Sequence, residues 1–80
     1  MGTAENYLRD VIPMLLERAR EAKRQAMSQS VAKADGQFLA GRREAYYEVI
    51  ATLIGQLDAF GMPRGTFGVP NDFDPERELL

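Results

Sequence analysis

The stretch Glu44–Gln56, EAYYEVIATLIGQ, sets two tyrosines side by side in a run that otherwise reads as helix. Successive helical residues point about 100° apart, so Tyr46 and Tyr47 cannot share one narrow core stripe. With Phe38 at the origin of a helical wheel, Val49, Phe60, Leu53, Tyr46, Leu39, Leu57, Ile50, Ile54 and Tyr47 follow in order. They cover an arc of about 180°. Much of the remaining circumference is small: Gly41, Ala45, Thr52, Gly55 and Ala59, with Ala40 and Ala51. Only Gln37, Glu44, Glu48 and Asp58 form a polar wedge. A helix that is apolar or small nearly all round is enclosed by protein.

The preceding segment covers only one side of it. From Leu8 the apolar positions Val11, Ile12, Leu15, Leu16, Ala19, Ala22 and Ala26 recur at helical spacing. They fill an arc of about 140°, the single stripe of an amphipathic helix. The stripe narrows to alanine toward its end, which lets a neighbour approach. Thr3 is the expected N-cap, with Glu5 in the first turn. Pro13 removes one amide donor, so either the helix kinks there or it starts at Asp10. The helical character of Thr3–Arg9 favours one kinked helix. Glu17 with Arg20, and Glu21 with Arg24, are spaced to pair on the solvent face.

Turn signals fall in SQSVAKADGQ, residues 28–37, where Gly36 could close the first helix or Asp35 cap the second. Gly61 and Pro63 mark the far end, with Met62 placed to meet Leu57 in a Schellman-type stop. The expected fold is therefore all-α. It is an antiparallel helical hairpin within residues 1–62, helix 1 over about 4–30 and helix 2 over about 36–60. Tyr46 is expected inside the hairpin, and Tyr47, Ile50 and Ile54 against a second subunit. Gly41, Ala45, Thr52 and Gly55 would let that subunit come close. Two hairpins face to face make a four-helix bundle, so the first expected partner is a second copy, as a homodimer.

Residues 63–80 form an extended tail rich in glycine and proline, yet Phe67, Val69, Phe73, Leu79 and Leu80 are more apolar than a linker needs. The tail is expected either as a strap across the bundle or as a motif offered to another protein, with the strap favoured. Asp74 followed by Pro75 could open a last helical turn.

Composition narrows function by exclusion. The chain has 80 residues, no cysteine and no histidine. It therefore holds one domain, without disulfides or thiolate metal sites, and lacks the commonest general base. Small chains lacking staples gain stability by association. No apolar run reaches the roughly 20 residues that span a bilayer, and the N-terminus shows no secretory pattern, so a cytoplasmic location is expected. Phosphate-loop and dinucleotide fingerprints are absent, and Ser28 and Ser30 have no histidine to activate them. The i,i+4 pairs Glu17/Glu21 and Glu44/Glu48 fall on polar faces, which favours solvation over metal binding. No catalytic, cofactor-binding or metal residue is assigned.

The net charge of −2 conceals a segregation. Arg18–Arg43 carries seven bases against two acids, and Glu44–Leu80 the reverse. Arg18, Arg20, Lys23, Arg24, Arg42 and Arg43 form a candidate basic patch near the turn. A nucleic-acid role would need such density, but the overall charge and the lack of a recognition motif disfavour it. The stretch GRREAYYEVIATLIGQLDAFGM, Gly41–Met62, resembles the second helix of small uncharacterised bacterial and phage helical proteins. The shared elements are a Gly-Arg opening, an Ala-Tyr-Tyr-Glu-Val middle and an Ala-Phe-Gly close. That resemblance implies a helical hairpin and no known activity. The expected function is a non-enzymatic helical oligomerisation or protein-interaction module.

Overall fold

The computed structural model describes residues 2–28 and 33–80, with side chains of the second segment from residue 35 onward. Two long helices, α1 (Thr3–Ala26) and α2 (Lys33–Ala59), pack against each other. A 3₁₀ turn (Arg64–Phe67) and a short helix, α3 (Pro75–Leu79), follow. No strand occurs among the described residues. The expected turn falls largely at 29–32, outside the described residues. Asp35 and Gly36 lie inside α2 rather than at a helix boundary, because α2 begins at Lys33.

Pro13 lies within one continuous α1, so the start at Asp10 is not used. The N-cap is Gly2 rather than Thr3, with extended φ −85° and ψ 160° and no side-chain cap bond. The N–H of Asn6 donates to the Gly2 carbonyl at 3.2 Å, closing the first turn. Glu5 and Arg9 pair across that turn at 3.2 Å.

Arg42 donates to the Gln25 side chain at 2.8 Å, which sets the register of the antiparallel pair. Running out from that contact at equal rise, Leu16 comes within one residue of the level of Ile50, and Ile12 within one of Ile54. All four are buried. The end of α2 is a Schellman stop, as the residue order implied. The N–H of Met62 donates to the Leu57 carbonyl at 2.8 Å and that of Gly61 to the Asp58 carbonyl at 3.1 Å. Gly61 supplies the positive φ of +67° that this geometry demands.

The last 18 residues are not an extended tail. They fold back over the hairpin and complete its core. Phe67, Val69, Phe73 and Leu79 are buried in one cluster with Ile12, Leu16, Ala19, Ile50, Ile54 and Leu57. Only Leu80 of the five apolar tail residues is exposed. The strap reading therefore describes the fold, and the four buried side chains are not on offer to another protein.

Three contacts fix the strap to α1. Gly68, at φ +82°, lies flush on the Pro13 ring; a Cβ there would sit 2.6 Å from the proline Cγ. Arg20 stacks over the Phe73 ring, 5.7 Å from its centroid. The Lys23 ammonium donates to the Glu78 carbonyl at 3.0 Å, satisfying an orphan acceptor at the end of α3. At the other end of α3 the Asp74 carboxylate accepts from the Glu76 amide at 3.1 Å, and Pro75 occupies the first helical position. A five-residue helix has too few internal bonds to stand alone; these caps and the complete burial of Leu79 hold it.

Gly68→Ala is expected to lower stability by about 2 kcal/mol or more, since the left-handed conformation and the proline contact both oppose a side chain. Leu79→Ala should cost about 2–5 kcal/mol through the cavity left in the core. Urea unfolding of the full chain measures both; a midpoint unmoved by either change would show that the strap is not part of the cooperative core.

Candidate interaction surface

Burial around α2 differs from the sequence expectation in one respect that matters for function. Ile50 and Ile54 are covered by α1 and the strap, so they face no second subunit. Tyr47, expected at the subunit interface, is half-buried and packs against the same core, as does Tyr46. The sequence wheel placed enough apolar surface for a second neighbour, and the strap is that neighbour on this side. The small residues Gly41, Ala45, Thr52 and Gly55 are exposed, and nothing lies within 4 Å of a Cβ built on either glycine.

The uncovered apolar stripe is a different one. Phe38 is 69% exposed, Val49 44% and Phe60 74%. Eleven residues separate each from the next, about three helical turns, so all three fall within an arc of about 40°. Arg42 and Leu53 lie on the same stripe. The Arg42–Gln25 bond ties this stripe to the α1 side that carries Gln25, Met14 and Tyr7. Tyr7 and Met14 are exposed there as well. The strap grips α1 through Pro13, Arg20 and Lys23, on its other side. The hairpin thus has one face closed by the strap and an opposite face on which Tyr7, Met14, Phe38, Val49 and Phe60 are exposed beside Gln25, Arg42 and Gln56. A shallow hollow of about 410 Å³ lies along that face, lined by Ala45, Glu48, Val49, Thr52 and Leu53.

The six residues of the candidate basic patch do not converge. Arg18 and Arg20 stand about 160° apart around α1. Arg24 bonds to Glu21 and Glu17, at 3.0 Å through Nε and 3.3 Å respectively. Glu17 therefore pairs with Arg24 rather than with Arg20, whose guanidinium is engaged on Phe73. Lys23 caps α3, and Arg42 binds Gln25 while lying 5.2 Å from the Tyr46 ring centroid. Arg43 shares the stripe of Ile50 and faces the alanine-lined end of α1; its Nε is buried without a hydrogen-bond partner. Four of the six, Arg20, Lys23, Arg24 and Arg42, are thus engaged by neighbours within the fold.

A second hollow, of about 460 Å³, opens between the first turns of α1 and the segment Gly61–Phe67. Its ionisable lining is Glu5 and Arg9, already paired with each other. Among the described residues no three acidic side chains are grouped to hold a metal ion. No helix among them is long and apolar enough to cross a membrane.

Arg64 is the ionic fastener of the strap. Its guanidinium bonds Asp58 at 2.7 and 3.1 Å and the Phe73 carbonyl at 3.2 Å, joining the end of α2, the 3₁₀ turn and the approach to α3. The hydrogen bond from Arg64 holds the Asp58 carboxyl below its ordinary value of 3.8, against a smaller opposing effect of desolvation. No family model, curated protein or solved structure matches the chain.

A carboxyl depressed in the folded state contributes stability above its unfolded value and loses that contribution as pH falls through the folded one. Thermal melting from pH 7 downward should therefore show a stability loss below about pH 4 that is smaller in Asp58→Asn. Identical acid profiles for the two proteins would remove Asp58 from the linkage.

Proposed function

We propose that the protein is a non-enzymatic helical module that self-associates through the uncovered face of its hairpin. The observation that carries this reading is the exposure of Phe38, Val49 and Phe60 on one side of α2 and its end, left open after the strap has closed the other side. Three further facts support it. The chain is a rod of 47 × 22 × 15 Å with a solvent-accessible surface of 5379 Å². A compact monomer of this mass exposes about 4,850 Å², so the rod carries roughly 500 Å² more. Exposed aromatic side chains are the usual anchors of protein interfaces. The small residues Gly41, Ala45 and Thr52 border the stripe, where they let a second backbone draw near.

Pairing two such faces makes four long helices with a strap on each outer side. The resemblance of Gly41–Met62 to helical-hairpin proteins agrees with that architecture and names no activity. The lack of cysteine suits a reducing compartment such as the cytoplasm.

Sedimentation equilibrium at micromolar concentration is expected to give twice the chain mass of 9.0 kDa. Val49→Glu should weaken association by more than about tenfold, because the charge enters twice at the centre of a symmetric interface. Its helical circular dichroism should persist, since Val49 is outside the buried core. A wild-type mass of 9.0 kDa at that concentration would overturn the reading.

A further inference from the structure

We draw no further inference here: the strongest candidate, the hollow between the first turns of α1 and the segment Gly61–Phe67, has the mutually bonded Glu5 and Arg9 as its ionisable lining, and nothing in the structure shows what fills it.

Discussion

The insertion of Phe67, Val69, Phe73 and Leu79 against the two long helices is the contact on which the rest of this structure depends. A helical hairpin alone has one seam to bury, and 80 residues without disulfide or metal leave little margin. The strap extends the buried seam by giving Ile12, Leu16, Ile50, Ile54 and Leu57 a third wall. Its placement follows from local chemistry at each end. Gly61 turns the chain out of α2, Arg64 anchors the turn to Asp58, and Gly68 allows the backbone to lie on Pro13. Asp74 and Lys23 then close the two ends of α3 over Leu79.

The same arrangement explains a proline in the middle of a 24-residue helix. Its missing amide costs α1 one hydrogen bond. In return its ring offers a flat apolar surface on which a glycine backbone can rest, and only glycine meets both the positive φ and the 2.6 Å clearance. Pro13 and Gly68 are thus one device, split across 55 positions of sequence.

Closing one face also defines the other. Because the strap lies along the Pro13 and Arg20 side of α1, the opposite side of the hairpin retains Tyr7, Met14, Phe38, Val49 and Phe60 in contact with solvent. Arg20, Lys23, Arg24 and Arg42 are each held by a neighbour within the fold.

Periodicity alone determined the two long helices and their antiparallel seam, since apolar spacing near 3.6 residues records which side of a helix is buried. The Schellman end at Gly61–Met62 and the cap at Asp74–Pro75 were equally legible, because such signals lie within a few residues of one another. The wheel of α2 implied that one neighbouring helix could not cover it, and the strap supplies part of that cover. Which arc each neighbour covers was a matter for the tertiary structure. A wheel gives the width of an apolar surface but no address, and Ile50, Ile54 and Tyr47 pack on the chain's own core while Phe38, Val49 and Phe60 stayed bare. The Pro13–Gly68 contact, the Arg20–Phe73 stack and the Lys23 cap on α3 were likewise invisible in the sequence. They join residues more than fifty positions apart, and no local pattern encodes a distance that only folding makes short.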